Sequence, residues 1–261
     1  MLIRYEDIPK PVEIKAEECV DDLQLAGLRL IQKKDGFKLG MDSVLLADFA
    51  QIYPGDRVAD FGTGTGALPL LLRGRGKGEH YYAFEIQQEL AETAARTMML
   101  NGLENQVQIY AEDAGNAAEI LPGNSLDAII CNPPYGEPGR ALHNPSEERA
   151  VSRHQKEDTL YRYLKTAYRL LRGKGRMILV YPAYGMLKIM RMMQEAHVEP
   201  KRFRLVYPYA DKPANLVLIE GIKDAKAMLH PMPPMIIYNQ GGDLTNELKS
   251  VYHIAERPSI Q

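Results

Sequence analysis

The sequence predicts an α/β protein built on a doubly wound, mostly parallel sheet, with a small N-terminal hairpin and helix in front of it. From Asp56 onward, short apolar runs alternate with longer amphipathic stretches, which is the pattern of strands joined by crossover helices. A glycine-rich segment joins the first of these strands to the first helix. The 261 residues, 45% hydrophobic and 25% charged, are enough to bury one large core.

The first 50 residues differ from this alternation and are expected to form an extension. Residues 28–32 are predicted to form a strand, residues 33–36 a hairpin turn and residues 37–39 the returning strand. Asp42 and Ser43 then precede an apolar helix at 44–50 and are predicted to cap it. The predicted domains are therefore residues 1–50, the extension, and residues 51–261, the main α/β domain.

The remaining elements follow from apolar runs and their turn signals. Strands are predicted at residues 57–61, 81–85, 107–110, 126–131, 176–181, 201–207 and 216–220. Helices are predicted at residues 66–72, 87–100, 158–171 and 185–196. Asn101 and Gly102 form a C-cap signal, and the helix at 158–171 has one apolar face: Leu160, Tyr163, Leu164, Ala167, Leu170 and Leu171. After the proline-rich residues 231–234, the tail has room for one more strand, 235–238, and a helix.

Composition excludes several classes of protein. The net charge of −2 gives no global basic signal, so any nucleic-acid contact must rely on a local patch. The charged start is unlike a signal peptide, and no apolar run approaches the ~20 residues that span a bilayer. Cys19, Cys131 and the six scattered histidines give no disulfide framework or metal spacing, and Cys131 is predicted to be a small buried residue. A soluble cytoplasmic protein without a structural metal is expected.

A glycine loop, Gly62, Gly64 and Gly66, lies between the first predicted strand and helix of the alternating region. Glycine lets the backbone pass close to a ligand, and the start of a helix offers unpaired N–H groups. Gly62, Gly64 and Ala67 also satisfy the dinucleotide-binding fingerprint, with Glu85 near its acidic position. The loop alone therefore fits either a nicotinamide cofactor or S-adenosylmethionine.

Acidic residues stand at three successive strand ends. Asp60 precedes the glycine loop, where a carboxylate would repel a pyrophosphate but suits the cationic amino-acid end of S-adenosylmethionine. Glu85 is placed to accept the hydroxyls of a ribose, although a helix-capping acid fits that position too. Asp113 is placed to accept an adenine amino group; Glu112 competes with it, and so does a plain surface turn. The regular spacing of the three acids favours a ligand site at this edge of the sheet.

The most informative motif is Asn132-Pro133-Pro134-Tyr135, directly after the predicted strand 126–131. Two prolines forbid the strand from continuing and fix an extended backbone. An amide oxygen, a fixed carbonyl and an aromatic ring suit a planar group that bears an NH2. Adenine and a glutamine side chain are both such groups. The competing interpretation is a strand terminator with a capping asparagine.

These residues resemble the class I S-adenosylmethionine-dependent methyltransferases that carry an Asn-Pro-Pro-Tyr motif on a Rossmann-like sheet. More closely, the chain resembles the bacterial tRNA1(Val) adenine-37 N6-methyltransferase family. The further similarities are Gln32 with residues 37–46, residues 212–220, and residues 236–239 with 244–248. The resemblance therefore covers nearly the whole chain.

The resemblance implies S-adenosyl-L-methionine as cofactor and N6-methylation of an unpaired adenine in tRNA, with adenosine 37 of the anticodon loop as its position. The methionine end of the cofactor would lie at Asp60 and the glycines 62, 64 and 66. Glu85 would bind its ribose and Asp113 its adenine, while Asp42 and Ser43 would close over it. Asn132, Pro133, Pro134 and Tyr135 would hold the target base and carry catalysis.

Other functions remain open at this point. A protein glutamine methyltransferase or a ribosomal RNA adenine methyltransferase would use the same amide cradle. A DNA adenine methyltransferase would need a sizeable recognition domain, for which no segment has room. An inactive cofactor-binding module and a dinucleotide oxidoreductase leave the Asn-Pro-Pro-Tyr motif unexplained.

Three polar or basic segments are candidates for RNA contact: residues 136–156, 201–204 and 73–78. Tyr207 and Tyr209 lie close to the second. Each segment also fits a solvated loop, a strand edge or a turn.

Overall fold

The computed structural model describes residues 12–35, 38–133 and 147–254, and for residues 147–157 the backbone alone. Its strands are β1 (Glu18–Asp22), β2 (Arg29–Lys33), β3 (Arg57–Phe61), β4 (His80–Phe84), β5 (Val107–Tyr110), β6 (Leu126–Cys131), β7 (Leu171–Pro182), β8 (Val198–Tyr207), β9 (Leu216–Lys223), β10 (His230–Pro231) and β11 (Met235–Ile236). Its helices are α1 (Met41–Phe49), α2 (Ala67–Gly74), α3 (Gln88–Leu100), α4 (Ala117–Ile120), α5 (Glu147–Leu170), α6 (Met186–Glu195) and α7 (Asn246–Val251).

The main sheet confirms the predicted doubly wound, mostly parallel architecture. Its order is β10-β8-β9-β7-β6-β3-β4-β5, and β11 also pairs with β8. The strands β7, β6, β3, β4 and β5 are parallel, whereas β9 is antiparallel to both β7 and β8. After β5 the chain returns to the other side of β3, so β3 and β6 flank the point where strand order reverses. Open α/β sheets bind ligands beyond the carboxyl ends of such strands.

Helices cover both faces of this sheet, so each face buries its own apolar cluster. On one face α1, α2 and α7 pack against side chains such as Val58 and Ile130. On the other face α5 and α6 pack against side chains such as Phe61 and Cys131. The predicted apolar face of α5 is buried on this second cluster, although its last predicted residue, Leu171, begins β7 instead.

The N-terminal hairpin differs from the prediction. β2 pairs with the preceding segment β1, not with residues 37–39, and residue 37 lies outside the described part of the chain. The β1 sequence, Glu-Cys-Val-Asp-Asp, lacks a clear apolar alternation. It is anchored from outside, because the Arg96 guanidinium on α3 pairs with Glu18 at 2.5 Å. The local sequence therefore does not predict β1, because the contact that anchors it comes from a residue distant in sequence.

The start of α1 also corrects a prediction. The helix begins at Met41 with Gly40 as its N-cap, and no side chain caps it. Asp42 and Ser43 therefore lie inside the first turn and do not cap the helix. Ser43 is buried, and its hydroxyl contacts another element. A short polar side chain ahead of an apolar run is typical of an N-cap. In the folded chain the Ser43 hydroxyl instead accepts a hydrogen bond from Asn132.

The remaining boundaries shift by a few residues, with two larger changes. β7 begins at Leu171 rather than residue 176, and α5 begins at Glu147 rather than residue 158. The added part of β7 is rich in glycine and cations, including Arg172 and Lys174, so it carries no apolar pattern. The predicted strands at 57–61, 107–110 and 126–131 match β3, β5 and β6 to the residue.

Candidate active site

The ends of four parallel strands are level with one another, which brings the predicted site residues to one edge. In register, Phe61 of β3 lies between Phe84 of β4 and Cys131 of β6, and Phe84 pairs in turn with Tyr110 of β5. The residues that follow these strand ends are Gly62, Glu85, Ala111 and Asn132. The sheet thus places the glycine loop between Glu85 and Asn132.

The glycine loop is folded tightly against the end of β4. The backbone N–H groups of Gly62 and Thr63 both donate to the Phe84 carbonyl, each at 2.9 Å. Gly62, Gly64 and Gly66 have φ angles of +81°, +59° and +88°, a region that side chains with a Cβ rarely adopt. A Cβ would meet nothing within 4 Å at Gly62 or Gly64, so the loop faces open space where a ligand backbone has room.

Asp60 is fully buried, and neither of its carboxylate oxygens has a hydrogen-bond partner in the described part of the chain. Burial raises the pKa of Asp60 to about 7, and the nearby Glu85 carboxylate adds to the rise. The nearby Thr63 hydroxyl lowers the pKa of Asp60, but its distance or angle to the carboxylate does not meet the criteria of a hydrogen bond. A buried, unsatisfied carboxyl group is costly for a fold, and a cationic ligand would satisfy it.

Glu85 is held rigidly by two backbone donors. Its Oε2 accepts from the Gly64 N–H and its Oε1 from the Gln87 N–H, both at 2.9 Å. Each carboxylate oxygen can accept more than one hydrogen bond, so capacity for ligand hydroxyls remains. Glu85 does not cap α3, because Gln87 is the N-cap residue of that helix and no side chain in the described part of the chain bonds its free N–H groups.

Next to it, Ile86 is 64% exposed, an unusual position for an isoleucine, and sequence reasoning missed it. Its position directly after Glu85, the acid at the end of β4, is the sequence feature that could have indicated it. Two residues after the end of β4, it offers an exposed apolar surface on which a flat ring could lie.

Asp113 forms a local turn and an ion pair. Its Oδ1 accepts from the Gly115 N–H at 2.8 Å, and its Oδ2 pairs with the Arg162 guanidinium of α5. Glu112 instead accepts from the Asp113 N–H at 2.9 Å and from the Asn116 amide at 3.0 Å. Both acids therefore support the turn after β5. The link to Arg162 was not visible in the sequence, because 49 residues separate the partners.

Asn132 is connected to α1. Its Nδ2 donates to the Ser43 Oγ at 3.0 Å, which turns the amide oxygen away from Ser43. Pro133 is buried beside it, whereas Pro134 and Tyr135 lie outside the described residues. Asp42 precedes Ser43 in the first turn of α1, so the structure brings that turn and the Asn-Pro motif together. Asp42 therefore lies at the same edge of the sheet as Asn132, and its role in binding stays a prediction.

Cys131 is buried, as predicted. Burial raises the pKa of its thiol well above the usual range, and the nearby Asp60 carboxylate adds to the effect. The thiol therefore stays protonated at neutral pH and is no nucleophile.

Two of the basic segments serve internal contacts. Lys77 donates to three carbonyl oxygens at the end of α1, those of Ala47, Asp48 and Ala50, at 2.7–2.8 Å. Arg202 pairs with the buried Glu220 at 3.1 Å and donates to the Phe49 carbonyl at 2.6 Å. These contacts explain Lys77 and Arg202 without RNA. Of the remaining segment, residues 136–156, the structure does not describe residues 136–146 and describes only the backbone of the rest.

Within the described ranges no group of three or more histidine, cysteine or acidic residues is arranged to hold a metal ion. Among the helices of those same ranges, none has the length and apolar content needed to cross a membrane.

Comparison with known proteins identifies a family. Residues 38–201 match the family model described as methyltransferase small domain. Three similar proteins are each named tRNA1(Val) (adenine(37)-N6)-methyltransferase. The one from Aliivibrio salmonicida is 31% identical over 56% of this chain and 61% of its own length. Those from Parabacteroides distasonis and Proteus mirabilis are 29% and 28% identical, over 72% and 82% of this chain and 77% and 84% of their own lengths.

Solved structures share the fold at low sequence identity. A predicted O-methyltransferase from Agrobacterium tumefaciens has a TM-score of 0.66 and 22% identity, over 82% of this chain and 96% of its own. The 16S rRNA N2 G1207 methyltransferase of T. thermophilus, in complex with AdoMet and guanosine, has a TM-score of 0.55 and 20% identity. It aligns over 79% of this chain and 50% of its own.

Proposed function

We propose, since the chain belongs to the methyltransferase small domain family, that it transfers a methyl group from S-adenosylmethionine to the N6 amine of an unpaired adenine in tRNA. Adenosine 37 of the anticodon loop is the proposed position, because the relatives that align over most of their length carry that name. The carrying observation is the shared edge at which β3 presents the buried Asp60 and β6 presents Asn132.

The residues at this edge fit the cofactor from end to end. Asp60, with its two unsatisfied oxygens, would neutralise the cationic amino-acid end beside the open glycine loop of Gly62, Gly64 and Gly66. Glu85 would accept the ribose hydroxyls, Ile86 would cover one face of the adenine and Asp113 would accept its amino group. Asp42 would close the pocket from α1. When bound, S-adenosylmethionine supplies a methyl group on a positively charged sulfur.

This arrangement disfavours a dinucleotide cofactor. The two oxygens of Asp60 lie buried at the glycine loop, where a pyrophosphate would sit. The repulsion between the Asp60 carboxylate and a pyrophosphate would be much stronger in this poorly solvated position than it is in water.

Catalysis by this chain would consist mainly of positioning. An exocyclic adenine amine is a weak nucleophile, because its lone pair is delocalised into the ring. The Asn132 amide oxygen and the Pro133 carbonyl would each accept one of its N–H bonds, which favours a pyramidal nitrogen with its lone pair directed at the methyl group. The hydrogen bond from the Asn132 Nδ2 to the Ser43 hydroxyl would keep the amide oxygen oriented for that role.

The target base must reach this edge unstacked. Pro134 and Tyr135 complete the motif outside the described residues, and we propose that the Tyr135 ring stacks on the base. A base inside a duplex cannot enter such a pocket, whereas a loop supplies one that is already unpaired. The extra proton on the methylated amine is lost to water, so no strong base is required before attack.

A protein glutamine methyltransferase and a ribosomal RNA adenine methyltransferase are the alternatives that the same cradle permits. We favour tRNA over protein because the described N-terminal part holds a two-stranded sheet and a helix rather than a helical recognition domain. We also propose the division into residues 1–50 and 51–261, with a cytoplasmic location where tRNA is found. Since α1 packs in the main core, the extension cannot be removed as an independent unit.

The test is methyl transfer from labelled S-adenosylmethionine to tRNA that lacks its own modification. We expect label in N6-methyladenosine with the wild-type chain, and loss of at least a hundredfold in kcat with Asn132→Ala, while cofactor affinity changes little. Asn246→Ala, which removes an exposed amide on α7, is the matched control and should leave both unchanged. Label in a glutamine residue or in ribosomal RNA instead would refute the tRNA assignment.

A further inference from the structure

The most exposed large hydrophobic side chain in the described part of the chain is Tyr184, at 77%, and Leu187 close by is 62% exposed. Both follow β7, the strand next to β6 and its Asn132. Cys131 pairs with Leu179, and β7 then continues for three residues to Pro182. Neighbouring strands lie ~4.8 Å apart and rise ~3.3 Å per residue, so the turn after Pro182 stands about 10 Å beyond the end of β6.

The backbone of this turn is fixed by two contacts with β9 and β7. The Ala183 N–H donates to the Asn215 carbonyl at 3.0 Å, which ties the turn to the start of β9. The ring of Tyr181 packs against Gly185, where any Cβ would overlap it. The exposed tyrosine therefore sits on a fixed backbone, and little backbone conformational entropy would be lost when a ligand covers its ring.

The exposed residues form one stripe along the start of α6. Tyr184, Leu187, Lys188 and Arg191 follow one another at spacings of three, one and three residues, which places them on the same helical face. All four are exposed, and the only acid of α6, Glu195, lies at its far end. An aromatic ring with cations behind it is the combination that binds single-stranded nucleic acid, because bases stack on the ring and phosphates meet the cations.

We propose that Tyr184 is a stacking platform for a nucleotide that flanks the target adenine, with Lys188 and Arg191 along the adjoining phosphates. This rests on the proposed function, and it names how the RNA would be held beside the reacting base. When the target base leaves the loop stack, its neighbour loses a stacking partner, and the tyrosine replaces that partner. Tyr184 is a substrate-positioning residue outside the reacting atoms, so it acts on KM for RNA and not on cofactor binding.

The experiment measures kcat and KM for an anticodon stem-loop with the full chain. We expect Tyr184→Ala to raise KM for RNA about tenfold with unchanged cofactor affinity, within the range measured for loss of one base–aromatic stack. Tyr184→Phe should keep a near wild-type KM, and Tyr184→Leu should behave like Tyr184→Ala. Tyr53→Ala is the matched control: this ring is 55% exposed at the opposite, amino-terminal end of β3 and should not affect KM.

A second readout separates stacking from a merely structural effect. Replacing the flanking nucleotide by an abasic residue should raise KM about tenfold for the wild type, but little further for Tyr184→Ala, because the same contact is already missing. Additive effects would overturn the proposal, as would a wild-type KM for Tyr184→Ala or Tyr184→Leu, or a change in oligomeric state in Tyr184→Ala. Wild-type transfer with unaffected Tyr184 variants would leave the proposed function standing, whereas no transfer by the wild type would refute both.

Discussion

Replacing Asp60 with asparagine should stabilise the free protein at neutral pH and at the same time destroy its cofactor binding. Asp60 is fully buried, and its two oxygens lack hydrogen-bond partners among the described residues. Asparagine has nearly the same shape and no charge. The substitution therefore removes the cost of a buried carboxylate without opening a cavity.

The magnitude follows from the pKa of Asp60, which burial raises from its ordinary value of 3.8 to about 7. Below 3.8 the carboxyl group is protonated in both states, so burial carries no electrostatic penalty. Between the two values only the unfolded chain loses the proton, and stability falls by about 1.4 kcal/mol per pH unit. Above pH 7 the penalty stays near 4 kcal/mol. The advantage of Asp60→Asn should thus grow from about zero at pH 4 to as much as about 4 kcal/mol at pH 8.

Cofactor binding should change in the opposite direction. A cationic ligand is attracted to the buried carboxylate and neutralises it, whereas the neutral asparagine would not attract the ligand. We expect affinity for S-adenosylmethionine to fall at least a hundredfold at pH 8, which corresponds to about 3 kcal/mol for a broken buried ion pair. Wild-type affinity should itself weaken as the pH drops below 7, because the carboxyl group must then lose a proton before it can bind.

Urea unfolding at pH 4.5, 6, 7 and 8 measures the first effect and titration calorimetry the second. The chain has no tryptophan, so far-UV circular dichroism is the suitable signal. Asp211→Asn, at an exposed acid, is the control and should change neither quantity. A stability difference that is the same at pH 4.5 and pH 8 would refute the electrostatic reasoning. Undiminished cofactor affinity would show that the cationic end binds elsewhere.

Further predictions concern the backbone of the site and its support. Gly66→Ala should cost about 2–4 kcal/mol, because its φ of +88° disfavours a Cβ and that Cβ would lie 2.5 Å from the Met98 Cε. Gly62→Ala, which has a similar φ but open space, should cost only about 1–2 kcal/mol in the same urea experiment. Lys77→Met should lower stability by about 2–3 kcal/mol, because three carbonyls at the end of α1 lose a charged donor. A melting temperature equal to that of the wild type would show that water replaces the ammonium group.

The sequence predicted the parallel core well, because its central strands β3 and β6 are short runs that are buried along nearly their whole length. β3, β5 and β6 match their predicted limits, and turn residues mark both ends of each. The position of Glu85 and Asn132 at one edge of the sheet was predictable for the same reason. Each directly follows a strand, and parallel strands carry the residues that follow them to one edge.

Contacts between distant segments were not predictable from local patterns. β1 was missed because Arg96 on α3, 78 residues away, anchors it through Glu18. Lys77 stood in a run of glycines and cations typical of a flexible turn. It is in fact directed at the carbonyls of α1 about 30 residues earlier.

The sequence by itself determined the order of strands and helices and the chemistry of the strand ends, since both depend on local apolar period, glycine and proline. The tertiary structure decided which of those ends meet. Strand order reverses beside β3, and this sets Asn132 next to the glycine loop. Packing of α1 then brings Ser43 to the Asn132 amide, and burial leaves Asp60 without a partner. Local sequence cannot specify these contacts, because the cost and gain of each depend on what surrounds the residue after folding.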